Sequence, residues 1–271
     1  MDFKDIENRG LVLLGCGKMG SAMLAGWLGQ GLSPKAIWIL DPKPSDWLLA
    51  QDVHLNTALP ENPAIILIAV KPQMMGDALP VLQALGNGTT VFLSVAAGIT
   101  VSKFEQILGP HTPIIRAMPN TPAAIGQGIT AFCGNTHVAE SAMQMAEDLL
   151  QVIGQTVRLD SEDQIDAVTG VSGSGPAYVF HLIETLAAAG QAQGLPADLA
   201  MTLAKATVAG SGALAKLSED NPEQLRINVT SPNGTTQAAL DVLMDKDTGF
   251  PPLLKRAVKA AADRSRELAN G

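Results

Sequence analysis

Up to about residue 160, short aliphatic runs alternate with stretches of helical composition, and this alternation constrains the fold more than any other feature of the chain. The run at 64–70 is apolar at every position, which indicates a strand buried on both faces. Strands of this kind, alternating with helices, predict an α/β fold with a doubly wound parallel sheet. The predicted strands are 11–14, 36–40, 64–70, 90–95, 113–118, 129–133 and 156–159, and the predicted helices are 19–29, 72–85, 100–108 and 138–153.

After Asp160 no strand-like run follows, which predicts a second, all-helical domain. Residues 161–164, Ser-Glu-Asp-Gln, have the form of a capping box that would begin the first of its helices. Further helices are predicted over 176–193, 196–217, 224–227, 235–245 and 251–269. These helices are rich in Ala and Gly, and so much small apolar surface indicates a partner subunit. The predicted domains are residues 1–161 and residues 162–271.

Composition and charge narrow the class of protein further. A hydrophobic content of 46% and a charged content of 16% are typical of a core-rich globular protein. The formal net charge of −8 argues against binding to nucleic acid or to an anionic membrane. The two cysteines lack CxxC spacing and the four histidines are scattered, so we expect no metal site and a reducing, cytoplasmic location. The longest aliphatic run is too short to span a bilayer, and the charged N-terminus lacks the apolar core of a signal peptide.

A glycine motif between the first predicted strand and the first predicted helix indicates a dinucleotide site. In Gly15-Cys16-Gly17-Lys18-Met19-Gly20, Gly15 would make the tight turn and Gly17 would admit the pyrophosphate. Gly20 would let helix and strand pack closely, and the positive end of the helix dipole favours phosphate at the same place. The alternative is a glycine-rich turn in another α/β fold. The predicted contacts in the motif are Gly15, Cys16, Gly17, Lys18 and Met19.

Further cofactor contacts are predicted where later strands end, at the carboxyl edge of the sheet. Asp41 ends the second predicted strand, 21 residues beyond Gly20, where an acid commonly binds the ribose hydroxyls of NAD. Lys43 could pair with a 2′-phosphate instead, or lie in a solvated charged turn, so the cofactor preference stays open. Small residues around Ala97 leave room for a flat ring, and Asn120 could hydrogen-bond a carboxamide. The predicted contacts beyond the motif are Asp41, Lys43, Asn56, Ala69, Val70, Lys71, Pro72, Ala97 and Asn120. Lys71 could also be an ordinary surface lysine.

The segment Val229-Thr230-Ser231-Pro232-Asn233-Gly234-Thr235-Thr236 opens a predicted helix and carries four hydroxyls. Free N–H groups at a helix start receive anions, and hydroxyls can orient a second polar group of the same ligand. The alternative is an ordinary helix cap with Thr235 as the capping residue, but a cap needs one hydroxyl rather than four. Together with the glycine motif, this segment predicts a nicotinamide enzyme that acts on a small carboxylate.

These motifs, in this order, resemble those of the pyrroline-5-carboxylate reductase family. The matching elements are residues 15–20, 69–72, 94–98, 116–122, 170–178 and 229–236. The resemblance implies a Rossmann-type domain followed by a helical dimerisation domain like the C-terminal domain of 6-phosphogluconate dehydrogenase. It also implies a homodimer that can assemble into a decamer, and NADPH as the cofactor, with NADH possible. Asn233 stands where the family usually has glycine, and the segment 41–51 is shorter than usual.

The resemblance implies hydride transfer from NAD(P)H to the C=N carbon of L-1-pyrroline-5-carboxylate, giving L-proline in the last step of proline biosynthesis. It places Thr236 near the ring nitrogen, as the catalytic residue. The implied substrate contacts are Asn228, Val229, Thr230, Ser231, Asn233, Gly234, Thr235 and Thr236. The alternatives are another cyclic-imine reductase, a 3-hydroxy-acid dehydrogenase or a non-catalytic nucleotide sensor. A carbonyl reducer usually needs a lysine general acid on the first interdomain helix, and residues 168–176 contain none.

Overall fold

The computed structural model describes residues 3–270, and its first part is built on one eight-stranded sheet. The strands are β1 (Leu11–Leu14), β2 (Ile37–Leu40), β3 (His54–Leu55), β4 (Ile65–Ile68), β5 (Val91–Ser94), β6 (Ile114–Met118), β7 (Gly128–Gly134) and β8 (Gly154–Arg158). Their order is β3-β2-β1-β4-β5-β6-β7-β8, and β1 to β6 are all parallel. This is the doubly wound order of dinucleotide-binding sheets, in which the winding reverses between β1 and β4. The predicted fold class is confirmed.

The strand β7, which lies one strand in from the β8 edge, departs from the predicted parallel arrangement, because it runs antiparallel to β6 and parallel to β8. A parallel neighbour needs a crossover connection of a dozen or more residues, usually containing a helix. Between β6 and β7 the chain has only a short 3-10 turn, Thr121–Ile125. The chain therefore returns beside β6 in the opposite direction, and the expectation of a wholly parallel sheet is wrong at this edge.

The helices fall before, between and after these strands. They are α1 (Lys4–Arg9), α2 (Lys18–Gly29), α3 (Asp46–Leu49), α4 (Met75–Ala78), α5 (Val101–Leu108), α6 (Glu140–Gln151), α7 (Ile165–Val168), α8 (Gly175–Ala192), α9 (Ala197–Leu217), α10 (Pro222–Asn228), α11 (Thr235–Leu243) and α12 (Phe250–Asn270). A π-helical turn, Thr169–Gly173, joins α7 to α8.

The core of the first part lies on both faces of the sheet, as the continuous apolar runs predict. On one face, Leu13 packs with Trp27 of α2 and Leu149 of α6, and the Trp27 indole N–H donates to the Leu149 carbonyl at 2.9 Å. On the other face, Ile66 packs with Phe104 of α5. All five side chains are almost completely buried. Burial of each contributes about 1.5–3 kcal/mol to stability, which fixes the sheet and hence the positions of its strand ends.

The segment 72–85 is not the single helix that the sequence predicts. It forms a 3-10 turn at Pro72–Met74, then α4, then a second 3-10 turn at Pro80–Leu85. Pro80 lacks an N–H and its ring clashes with the carbonyl of the preceding turn, so α4 ends at Ala78. The prediction also lacks β3, α1 and α3, because elements this short give no periodic pattern.

The capping box expected at 161–164 does not form. Ser161 caps no N–H group of the turn that follows, Glu162–Gln164, and that turn is 3-10 helical. The Gln164 side-chain oxygen accepts the Asp160 N–H at 3.0 Å. The Glu162 carboxylate accepts from Arg116 on β6. Gln164 therefore bonds to the residue before Ser161 rather than to Ser161, and Glu162 bonds to a distant strand.

The chain divides into two compact units. Of the described residues, the first unit holds 3–173 and 261–270, and the second holds Ser174–Ala260. The predicted boundary at 161/162 lies ahead of α7 and the π-helical turn, both of which belong to the first unit. The end of α12 is held in the first unit, where the Ser265 hydroxyl donates to Asp166 Oδ1 at 2.5 Å.

The described residues of the second unit form helices joined by turns, with no strand. Helices α8 and α9 pack through small side chains, and Ala187, Ala200 and Ala204 are buried there. Large apolar side chains such as Phe180 and Leu203 are exposed on the same two helices. Extensive exposed apolar surface marks a protein–protein interaction site. No helix in the described part of the chain is long and apolar enough to cross a membrane.

Candidate cofactor and substrate sites

The glycine motif forms the turn between β1 and α2, and each glycine lacks a side chain for a different reason. Gly15 has φ +87°, in the left-handed region, and a Cβ there would lie 2.7 Å from Val70 Cγ1. A Cβ at Gly20 would overlap the Gly15 carbonyl oxygen. Gly17 is the N-cap of α2, where a Cβ would meet nothing within 4 Å. Open space therefore lies next to the uncapped N–H groups of α2, an arrangement suited to a diphosphate.

Three exposed lysines follow the carboxyl ends of three neighbouring strands. Lys18 begins α2 after β1, Lys43 follows β2, and Lys71 follows β4. These strands are adjacent, in the order β2-β1-β4. None of the three lysines forms an ion pair with a described residue. In a chain of net charge −8, this edge of the sheet offers unpaired positive charge to phosphate groups.

Asp41 joins the glycine turn to the end of β2. Its Oδ2 accepts the Cys16 N–H at 2.7 Å, and its Oδ1 accepts the Lys43 N–H at 2.8 Å. Asn56, with φ +52°, accepts the Asp41 N–H at 2.9 Å and donates to the Asp41 carbonyl at 2.8 Å. The carboxylate therefore has a structural role, while each oxygen keeps a second lone pair for a ribose hydroxyl.

The buried Cys16 thiol in this turn is not poised as a nucleophile. Burial raises the pKa of Cys16 to about 11, and the negative charge of Asp41 adds to the effect. The thiol stays protonated near neutral pH, and the thiolate is the reactive form. Among the described residues no group of three or more His, Cys, Asp or Glu could hold a metal ion.

The loops after β4 and β5 lie at the same edge. Ala69 and Val70 are half-buried, and Lys71 and Pro72 are exposed. Ala97, after β5, is exposed. The next residue, Gly98, is buried with φ +73° and lies against Leu268 at the end of α12, because a Cβ on Gly98 would be 3.1 Å from Leu268 Cβ.

Asn120, after β6, uses its amide within the protein. Its Nδ2 donates to the Ser172 carbonyl at 3.1 Å, and its Oδ1 accepts the Ile129 N–H at 3.0 Å. The side chain thus joins the loop after β6 to the π-helical turn and to β7. One amide N–H and one lone pair remain for a ligand, so a contact with a carboxamide stays a prediction.

The ion pair between Arg116 and Glu162 is a feature that sequence reasoning misses. Arg116 is almost completely buried on β6, and its Nη1 lies 2.6 Å from Glu162 Oε1. One signal was present in the sequence, since an arginine within an apolar strand must find a partner when it is buried. Nothing in the sequence shows which acid that partner is.

In the second unit, the hydroxyl-rich segment forms the turn between α10 and α11. The Gly234 N–H donates to the Ser231 carbonyl at 3.1 Å and closes the turn. Asn233 has φ +59°, a left-handed conformation that asparagine tolerates better than most residues. Gly234 is the N-cap of α11, and a Cβ there would overlap Ser231.

No side chain caps α11, which contradicts the alternative of an ordinary helix cap with Thr235 as the capping residue. The Thr230 hydroxyl donates to the Arg226 carbonyl at 2.6 Å and so satisfies a backbone carbonyl in the last turn of α10. The hydroxyls of Ser231, Thr235 and Thr236 make no hydrogen bond to another described residue. Three hydroxyls and the free N–H groups of a helix start can therefore serve one small anionic ligand.

The two remaining predicted substrate residues end α10. The Asn228 side chain donates to Asp220 at 3.1 Å and accepts from Gln224 at 2.8 Å. Val229 is the C-cap and is exposed. All predicted substrate residues thus cluster in the second unit, and all predicted cofactor residues lie in the first.

Two family models match separate parts of the chain. The sequence model described as NADP oxidoreductase, coenzyme F420-dependent, matches residues 11–98. The model described as pyrroline-5-carboxylate reductase dimerisation matches residues 162–268. With the sheet order and the glycine turn, they define the class of the protein as an oxidoreductase that uses a nicotinamide dinucleotide.

Relatives along the whole chain identify the family. The chain is 36% identical over 265 residues to the pyrroline-5-carboxylate reductase of Pseudomonas aeruginosa, covering 96% of each chain. The chain belongs to the pyrroline-5-carboxylate reductase family, which confirms the resemblance drawn from the motifs. The solved reductase from Coxiella burnetii has a TM-score of 0.90 at 31% identity, covering 96% of this chain and 98% of that one. The Plasmodium falciparum reductase, solved with NADP bound, has a TM-score of 0.83 at 29% identity, covering 97% and 99%.

Proposed function

We propose that this chain reduces L-1-pyrroline-5-carboxylate to L-proline with NADPH, the last step of proline biosynthesis. The observation that carries the proposal is the uncapped start of α11, where N–H groups and three unbonded hydroxyls form a receptor for the substrate carboxylate. Family membership supports the substrate and the cofactor. The other cyclic-imine reductases, the 3-hydroxy-acid dehydrogenases and the nucleotide sensor are not favoured by the relatives found.

The residues of the first unit fit the cofactor. The space above Gly17, which a side chain would fill, takes the pyrophosphate against the N–H groups of Lys18 and Met19. Lys43, which follows β2 beside Asp41, pairs with the 2′-phosphate, and the free lone pairs of Asp41 leave NADH possible. The full set of proposed contacts is Gly15, Cys16, Gly17, Lys18, Met19, Asp41, Lys43, Asn56, Ala69, Val70, Lys71, Pro72, Ala97 and Asn120.

When bound, the cofactor supplies the hydride that reduces the C=N carbon. The N–H groups of Thr235 and Thr236 and the Ser231 hydroxyl bind the substrate carboxylate. The half-buried Thr236 hydroxyl orients the ring nitrogen of the imine and then of the amine product. A protonated imine is already a good electrophile, so the chain need only position it. Such positioning contributes on the order of several kcal/mol to the lowering of the barrier.

Replacement of Thr236 by alanine tests this mechanism. A hydrogen bond to a charged group is worth about 1.5–3 kcal/mol, so Thr236→Ala should lower kcat/KM about 10-fold to 100-fold. The loss of NADPH absorbance with pyrroline-5-carboxylate as the substrate measures kcat/KM. Thr202→Ala is the matched control, because the Thr202 hydroxyl donates within α9 to the Asp198 carbonyl at 2.8 Å. Unchanged kinetics in Thr236→Ala would remove this residue from the mechanism. A folded wild-type chain that oxidises neither NADPH nor NADH would refute the proposed substrate.

The chain forms a homo-oligomer through its dimerisation domain, and we infer that the dimers assemble further into a decamer. The exposed apolar side chains of α8 and α9 support the dimer, and the dimerisation model begins at residue 162, where the sequence pattern places the domain boundary. Light scattering coupled to size-exclusion chromatography gives the number of subunits. The two buried, free cysteines support a reducing, cytoplasmic location.

A further inference from the structure

A single carboxylate oxygen connects three segments at the carboxyl edge of the sheet. Glu162 Oε1 accepts from Arg116 Nη1 of β6 at 2.6 Å. The same oxygen accepts the N–H of Val101 at 2.9 Å. Glu162 itself begins the 3-10 turn that follows β8. Its side chain is 30% exposed, whereas that of Arg116 is 3% exposed, so the contact is largely shielded from water.

Val101 is the residue at which the loop after β5 ends and α5 begins. This loop, residues 95–100, carries Ala97 and Gly98, and Ala97 is a proposed cofactor contact. At its start, the Ala96 N–H donates to the Ser94 hydroxyl at 3.2 Å. Its far end is held to the rest of the unit through the bond from Val101 to Glu162. The bond to Glu162 therefore fixes the far end of this loop, while Gly98 lies against Leu268 in its middle.

Arg116 fixes the place of that carboxylate. In the part of the chain that the structure describes, Arg116 Nε and Nη2 have no hydrogen-bond partner, so the guanidinium is held by Glu162. A buried cation without its counter-charge is strongly unfavourable, which keeps the two groups together. A salt bridge on the surface would leave the carboxylate far more freedom.

We propose that Glu162 is a positioning residue of the reductase, which through the Val101 N–H places the loop 95–100 against the nicotinamide ring. Arg116 acts on the reaction only by holding Glu162. The inference rests on the proposed function for the identity of the ring and its substrate. It assigns to the turn that follows β8 a role in setting the distance for hydride transfer.

Two double variants separate the effect of the bond to Val101 from the effect of the buried charges. Arg116→Met with Glu162→Gln, and Arg116→Met with Glu162→Ala, both remove the ion pair, and replacement of a buried ion pair by uncharged groups usually leaves a protein folded. Only the glutamine variant keeps an oxygen that can accept the Val101 N–H. A small misplacement can cost about 100-fold in rate. We therefore expect kcat of the alanine double variant about 10-fold to 100-fold below that of the glutamine double variant.

Three further readouts distinguish positioning from a general loss of structure. The dissociation constant for NADPH should be similar in both variants, because the glycine turn and α2 are unchanged. The kinetic isotope effect with NADPH deuterated at the transferred hydrogen should be larger in the alanine variant, since hydride transfer becomes slower. Hydrogen exchange of the Val101 amide should accelerate in the alanine variant alone. Glu147→Ala is the control, because it breaks an ion pair with Arg158 at 2.8 Å on β8 and should leave kcat unchanged.

Equal kcat values and equal isotope effects in the two double variants would overturn the proposal, as would equal exchange of the Val101 amide. If the wild-type chain does not turn over pyrroline-5-carboxylate, the proposed function fails separately. The fluorescence of bound NADPH, which reports the surroundings of its nicotinamide ring, then tests the positioning role. The same emission in both double variants would refute it, and a change confined to the alanine variant would support it.

Discussion

Separate replacement of Gly17 and Gly20 by alanine should separate cofactor binding from stability. A Cβ at Gly20 would lie well inside 3.0 Å of the Gly15 carbonyl oxygen, and this oxygen belongs to the backbone, so α2 must move away from β1. Overpacking of this kind costs about 1–3 kcal/mol. For a protein unit of this size, that loss lowers the melting temperature by about 2–10 °C.

Replacement of Gly17 by alanine should instead weaken cofactor binding without lowering stability. Its φ of −71° suits any L-residue, and a Cβ would meet nothing within 4 Å, so the melting temperature should stay close to that of the wild type. The new methyl group enters the space proposed for the pyrophosphate. The dissociation constant for NADPH should therefore rise at least about tenfold, which corresponds to about 1.4 kcal/mol.

Scanning calorimetry gives the melting temperatures, and titration of NADPH fluorescence gives the dissociation constants. Each variant is the control for the other, because both add one methyl group within the same turn. Tight NADPH binding by Gly17→Ala would refute the placement of the pyrophosphate. An unchanged melting temperature in Gly20→Ala would refute the close approach of α2 to the turn.

Two other predictions concern charge. Asp41→Asn should raise the ratio of kcat/KM for NADPH over NADH about threefold to tenfold, because a neutral amide does not repel a 2′-phosphate. An unchanged ratio would count against a contact between Asp41 and the ribose. Stability should also fall as the pH rises from 9.0 towards 11, because burial raises the pKa of Cys16 and Cys133 from 9.0 to about 11 in the folded state. The unfolded thiols ionise first, so this contribution is complete below pH 9.0 and is lost on passing through about 11. Urea unfolding at about pH 8 and about pH 10.5 measures the loss, which should be smaller in a variant with both cysteines replaced by alanine; an equal loss would contradict the assignment.

The fold was predictable where the sequence pattern reflects burial directly. The run at 64–70 is apolar throughout, and it contains β4, which is buried on both faces. The apolar pattern does not carry strand direction, and the available signal for the antiparallel course of β7 was the connection at 119–128, which is too short for a parallel crossover. The two-residue strand β3, His54–Leu55, is too short to leave a pattern. Pro80, by contrast, is visible in the sequence as a helix breaker, and it should outweigh the helical composition of the residues around it in the prediction of a single helix.

The same distinction applies to the candidate site: features set by neighbouring residues could be predicted, and features set by residues distant in sequence could not. The glycine turn and the segment 229–236 could be predicted because their geometry depends on backbone preferences of neighbouring residues, such as the left-handed φ of Asn233. The hydrogen-bond partners of Asp41 and Asn120 could not be predicted, because these side chains bond to backbone groups that other strands and turns bring near. Glu162 is the clearest case. In the sequence it is only an inner residue of a predicted capping box, whereas the fold brings a buried cation and a helix N–H to its carboxylate from distant segments. A polar residue near a strand end should therefore be assigned a ligand role only after its partners within the fold are known.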